Sequence, residues 1–210
     1  MSQVLRNQTI LAKYIPAPAV PLIAEWIYTF DFKLKIKKSR STKYGDYRPP
    51  LKHTNHHISI NHDLNPYAFL VTLVHEVAHL SNWKKNAHHV KPHGTEWKQE
   101  FRDLMQPFFL MEIFPADVNH ALRNYLRNPA ASSCSDLGLL RALKKHDKEE
   151  NSTFLEDLPL GTVFLFGKGR FFKKGERIRK RFSCTEESTS RKYLFNPLSE
   201  VTVVTRPLFD

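Results

Sequence analysis

The stretch from Phe69 to Leu80 constrains this chain more than any other. It is an apolar run free of Gly and Pro, with His75-Glu76-Val77-Ala78-His79 at its centre. On a helix, residues four apart stack one turn apart on the same face. His75 and His79 can therefore aim two imidazoles at one ion. Glu76 lies about 100° further round the axis, close to the reaction without being a ligand. Leu70, Leu73, Val74, Val77 and Ala78 surround the pair, which predicts a buried, rigid helix. The chemistry implied is that of a zinc hydrolase with Glu76 as general base. The competing reading is a core helix with two satisfied histidines, and a third ligand decides between them.

A catalytic zinc takes three protein ligands and keeps one position for water. The metzincin pattern needs Gly at position 82 and His at position 85. Asn82 and Lys85 stand there, which excludes it. The favoured third ligand is His93, in His93-Gly94-Thr95-Glu96-Trp97. Trp97, Phe101, Leu104 and Met105 recur at helical steps and predict a helix over about 95–105. Gly94 is expected to let the backbone turn tightly beside the metal, and Thr95 to cap the helix. His88 and His89 compete by position, within the 82–91 connection. Glu96 and Glu100 compete by chemistry.

His75-Glu76-Val77-Ala78-His79, a connection, then His93-Gly94-x-x-Trp97 resembles the SprT-like metallopeptidase domain. Ile58-Ser59-Ile60-Asn61 followed by Pro66 is similar to the strand and turn before that family's zinc helix. The resemblance covers roughly 18–105 and extends to about 146. It implies one zinc per chain on His75, His79 and His93, with Glu76 catalytic, and a protein substrate on or near DNA. Many SprT-like proteins add a four-cysteine zinc ribbon. This chain has only Cys134 and Cys184, so no such ribbon can form.

Net charge bears on the partner. The formal charge of +11 favours an anionic partner, most often nucleic acid, although a merely basic surface would give the same number. No apolar run is long enough to span a bilayer, so no membrane partner is expected. The N-terminus lacks the layout of a secretory signal, and two distant cysteines make no disulfide framework. A cytoplasmic, reducing location is the expectation. Eleven histidines are present, nine of them between His53 and His93. His53, His56, His57 and His62 read as surface residues or as supports of the metal ligands.

Reading onward from the N-terminus, a helix is expected within residues 1–15 and another over Val20–Phe30, with Trp26 in the core. Phe32–Lys38 alternates apolar and basic residues, which predicts a strand with one buried and one lysine face. Ser39–Pro50 reads as a turn and connection, and His57–Ile60 as a short strand. Either strand could hold an extended substrate by strand addition. Pro66 opens the zinc helix. Further helices are expected over 115–126 and Asp136–Lys145, with Cys134 inert between them. Residues 146–153 form a polar linker. Beyond it, Thr162–Phe166, Arg170–Phe172, Ile178–Cys184, Lys192–Phe195 and Glu200–Thr205 read as short strands of an SH3-like or OB-like barrel or sandwich.

The expected fold is thus α+β. A zincin-like metallopeptidase domain with a small sheet spans residues 1–147, and a small, basic, barrel-like β module spans 153–210. Within the module, Lys168, Arg170, Lys173, Lys174, Arg177, Arg179, Lys180 and Arg181 form a basic cluster suited to following phosphates. Phe171 and Phe172 are interleaved and are read as core. The function expected is zinc-dependent proteolysis of proteins on or near DNA. The alternatives are a non-catalytic zinc- and nucleic-acid-binding protein linked to transcription, or a zinc peptidase with no nucleic-acid role.

Overall fold

The computed structural model describes residues 3–40, 43–51, 54–86, 91–130, 136–147, 153–167 and 169–204. His53, His88, His89, Cys134 and Lys168, all considered above, lie outside them. The chain divides into two compact units, Met1–Lys148 and Glu149–Asp210.

In the first unit, α1 (Gln3–Leu11) and α2 (Val20–Thr29) lead into β1 (Phe32–Lys37), β2 (Gly45–Arg48) and β3 (His56–Asn61). Helices α3 (Pro66–Asn86), α4 (Thr95–Leu110), α5 (Ala116–Arg127) and α6 (Leu137–Lys144) follow. β1 and β3 run parallel, β2 joins β3 antiparallel, and the order is β1-β3-β2. Register sorts the two sheet faces. Phe32, Leu34 and Ile36 pair with His56, Ile58 and Ile60 on the core side. Lys33, Lys35 and Lys37 alternate onto the other side and are exposed.

β2 corrects the reading of Ser39–Pro50 as connection only. Gly45-Asp46-Tyr47-Arg48 lacks apolar alternation, and Gly and Asp are poor strand formers. Its pairing with β3 decides the conformation, which local preference does not reveal.

α3 is buried on all sides, from Ala68 through Asn82 with only His79 half-buried. That is what an apolar run without a polar stripe requires. Its start is fixed by Asn65, whose Oδ1 accepts from the backbone N–H groups of Tyr67 (3.1 Å) and Ala68 (2.9 Å). The Asn65 amide donates to the Leu143 carbonyl (2.8 Å) and to Asp147 Oδ1 (2.7 Å), which ties the zinc-helix candidate to the end of α6. The helix runs on to Asn86, one turn into the expected connection. α4 also overruns its expected end, passing through Pro107 to Leu110. Trp26 is core, edge-on to Phe108 at 5.5 Å.

The second unit is a five-stranded antiparallel sheet, in the order β7-β6-β5-β4-β8. Its strands are β4 (Val163–Phe166), β5 (Arg170–Ile178), β6 (Arg181–Glu186), β7 (Lys192–Phe195) and β8 (Thr202–Val203). Phe164, Phe172, Phe182, Cys184 and Phe195 form its core with Leu155, Leu158 and Val201. The last strand, β8, returns to pair with the first, β4, and among the described residues no pairing joins β7 to β8. The expected strand Ile178–Cys184 is in fact two. Arg179, in the left-handed region (φ 54°), makes the hairpin turn that separates β5 from β6.

Candidate metal centre

α3 and the start of α4 together build the site. His75 and His79 project from adjacent turns of α3. His93 precedes α4, and the ligating nitrogens of all three lie within 4.8 Å of one another. The ring centroids are 5.0 Å (His75–His79), 5.4 Å (His75–His93) and 4.4 Å (His79–His93) apart. Trp97 floors the cluster, with its ring 4.6–5.1 Å from each imidazole, and Phe101 stacks beneath it.

His93 reaches this position through its own backbone. Its φ is +60°, a left-handed conformation that histidine tolerates better than most residues. Gly94 was expected to supply the tight turn, yet its φ is an ordinary −70°. Its role is close approach, because a Cβ there would meet the Lys91 carbonyl at 3.0 Å and Glu96 Oε2 at 3.2 Å. The residue flanking α4 as its N-cap is Gly94, and Thr95 is the first helical residue. The acidic competitors lie elsewhere. Glu100 accepts from Ser81 Oγ (2.7 Å) and Lys85 Nζ (2.6 Å), and Glu96 is exposed.

The donor set fits a metal. Nδ1 of His75 and Nε2 of His93 are buried without a hydrogen-bond partner among the described residues. A buried nitrogen left in that state is costly unless something satisfies it. Burial, reinforced by the neighbouring imidazoles, holds the His75 ring well below its ordinary pKa and His79 down to about 3. Burial, with Lys98 beside it, lowers His93 too. Three neutral imidazoles on one point offer lone pairs, which is the form that binds zinc.

Glu76 is buried beside the cluster, and its carboxyl is pushed up to about 8 by burial and by the charge of Asp46. Its position is set by β2. The backbone N–H of Tyr47 donates to it, and Gly45 comes so close that a Cβ would meet Glu76 Oε1 at 2.6 Å. Tyr47 is a site residue that sequence reasoning missed. Its ring lies parallel to His79 (6.3 Å, 4°), and its hydroxyl meets His56 Nδ1 at 2.9 Å. Because β2 itself is not legible in the sequence, neither is the part played by Tyr47. His56 has its other contact with Trp83, edge-on at 5.0 Å.

The basic cluster of the second unit is not one face. Lys173 points outward from β5, and Arg177, Arg179, Lys180 and Arg181 are exposed at the β5–β6 hairpin end. Arg170 lies at the other end of β5 and donates to Glu186 (2.5 Å). Lys174 corrects the sequence reading. It is 4 % exposed, donates to the carbonyls of Glu156 and Leu158, and sits over the Phe182 ring at 4.2 Å. It alternates inward with Phe172, and its charge is consumed inside the unit. Phe171, expected in the core with Phe172, is on the opposite face and 45 % exposed.

The fold and site thus define a mixed α+β protein with three histidines able to hold one metal, next to a buried glutamate on the same helix. A family comparison agrees: residues 24–120 match the SprT-like family, a segment that takes in β1–β3, α3 and α4. That family suggests a metallopeptidase type of protein. Comparison with curated proteins and with solved structures gave no match. No described helix is long and apolar enough to cross a membrane.

Proposed function

We propose that this chain is a zinc-dependent metallopeptidase with a zincin-like catalytic unit, and that it acts on proteins on or near DNA. The observation that carries the reading is the convergence of His75, His79 and His93 beside buried Glu76. Zinc, when bound, supplies Lewis acidity that brings the pKa of a water to about 7 and polarises a carbonyl. His75, His79 and His93 would hold it, with the Trp97 and Phe101 rings fixing the imidazoles from below. Glu76 accepts the proton of the attacking water and returns it to the leaving amine. The Tyr47 N–H orients that carboxylate, and burial raises its basicity. β2 is an edge strand beside Glu76, so its free edge can pair with an extended substrate. The hairpin-end residues Arg177, Arg179, Lys180 and Arg181, with Lys173, support contact with phosphates.

The test is cleavage of fluorescently labelled denatured casein, with and without DNA, by wild type and Glu76→Gln. Wild type should cleave it. The variant should keep its zinc and lose cleavage, because an amide cannot take the proton. A variant rate close to wild type would remove Glu76 as base and with it this reading.

A further inference from the structure

The reverse side of the active-site sheet carries a second feature. β1 turns Phe32, Leu34 and Ile36 into the core, so Lys33, Lys35 and Lys37 stand in a row on the other face. Cross-strand pairing places Lys33 opposite His57 and Lys35 opposite Ser59 on β3. β2 then adds Arg48 opposite His57 and Asp46 opposite Ser59. A concavity of about 460 Å³ opens here, lined by Lys35, Lys37, Arg40, Arg48, His57 and Ser59, with Asp46 at its edge strand.

Charge in this concavity is unbalanced. Four permanent cations face one carboxylate, and Asp46 is already matched by Lys43 (2.6 Å) and Arg48 (2.8 Å). Among the described residues, Lys33, Lys35 and Lys37 make no ion pair. The guanidinium of Arg40 is fixed, since it donates to Asn61 Oδ1 (2.8 Å), Ser59 Oγ (3.2 Å) and the Ser59 carbonyl (3.4 Å). His57 Nδ1 is buried there without a hydrogen-bond partner among the described residues. Like charges gathered on one concave face repel, and a bound polyanion relieves that repulsion.

We propose that this face binds the phosphodiester backbone of nucleic acid. The lysines repeat every second residue of a strand, about 6.6–6.8 Å, and a nucleic-acid backbone likewise presents its charges at short, regular intervals, one per roughly 3.4 Å of duplex axis on each strand. An acidic peptide could match that repeat too. However, peptides gain affinity from backbone pairing and apolar pockets, and a sheet face lined by charged heads offers neither. A phosphate backbone needs only the charges, and it is read without sequence preference. The site lies within the first unit and does not depend on the peptidase reading, so the two can fail separately.

The experiment uses the full chain carrying Glu76→Gln, which takes proteolysis out of the measurement. Fluorescein-labelled single-stranded DNA is the probe, and anisotropy is followed over a series of sodium chloride concentrations. Lys33→Ser/Lys35→Ser/Lys37→Ser should weaken binding about tenfold or more at low salt. The log–log salt slope should become shallower by about 2, at roughly 0.7 per phosphate contact. All three lysines are exposed, so the melting temperature should hold. Lys33→Arg/Lys35→Arg/Lys37→Arg should bind like wild type, because the charge is kept. Unchanged affinity and slope in the Ser variant would overturn the proposal. So would equal loss in the Arg variant, or displacement of DNA by polyglutamate at equal charge concentration.

Discussion

Gly45→Ala tests how β2 positions Glu76 without touching any group that takes part in chemistry. An added Cβ would lie 2.6 Å from Glu76 Oε1, 2.7 Å from Thr72 Cγ2 and 2.9 Å from Glu76 Cγ. Ordinary contact begins at 3.4 Å, so β2 and α3 must separate, or Glu76 must swing away, by about 0.8 Å (3.4 less 2.6). Thr72 lies on the buried face of α3 and leaves little room to yield. Overpacking of this size costs about 1–3 kcal/mol. A displacement near 1 Å can lower a catalysed rate about 100-fold. The prediction is a lowered melting temperature, near-wild-type zinc content and casein cleavage down by one to two orders of magnitude. Melting is followed by circular dichroism, zinc by mass spectrometry, and cleavage by fluorescence. Wild-type cleavage and melting together would refute the packing of β2 on Glu76.

Three other outcomes follow from the same structure. Asn65→Ala removes the cap of α3 and leaves the Leu143 carbonyl short of a donor, and should cost about 1–2 kcal/mol or more in urea unfolding; no change would mean that Asn65 does not join α3 to α6. Lys174→Ser should destabilise the second unit, because the carbonyls of Glu156 and Leu158 lose their donor, whereas Lys173→Ser on the outer face should not; equal effects would contradict the inward placement of Lys174. Glu186 is held down to about 2 by the Arg170 guanidinium and the Thr189 hydroxyl. A carboxylate depressed on folding contributes stability above its unfolded pKa of about 4.5 and loses it as pH falls towards 2. Glu186→Gln should flatten that part of the stability–pH curve, as followed by thermal melting, and an unaltered curve would count against the pair.

The helices were legible in the sequence where burial repeats with a helical period. α2, α3 and α5 fall close to where Leu22, Ile23, Trp26 and Ile27, then the apolar run through His75, then Val118, Leu122 and Leu126 place them. The histidine triad could also be read, because i, i+4 spacing is a local property and His93 stands directly before a periodic helix. What could not be read depends on pairing. Gly45–Arg48 becomes a strand only because β3 offers it an edge, so Tyr47 and the tight approach of Gly45 to Glu76 were invisible. The inward turn of Lys174 also escaped, since a lysine in a basic run gives no sign of its strand face until the register with β6 is known. The tight turn beside the metal falls at His93, in the left-handed region, rather than at Gly94, where the sequence places it.

The central claim is that His75, His79 and His93 form a single zinc centre, and zinc content of the purified full chain tests it most directly. Wild type and Glu76→Gln should each carry one zinc per chain, and His93→Ala should carry little after dialysis against a weak chelator. Full zinc occupancy in His93→Ala, with loss in Glu96→Ala instead, would contradict the assignment.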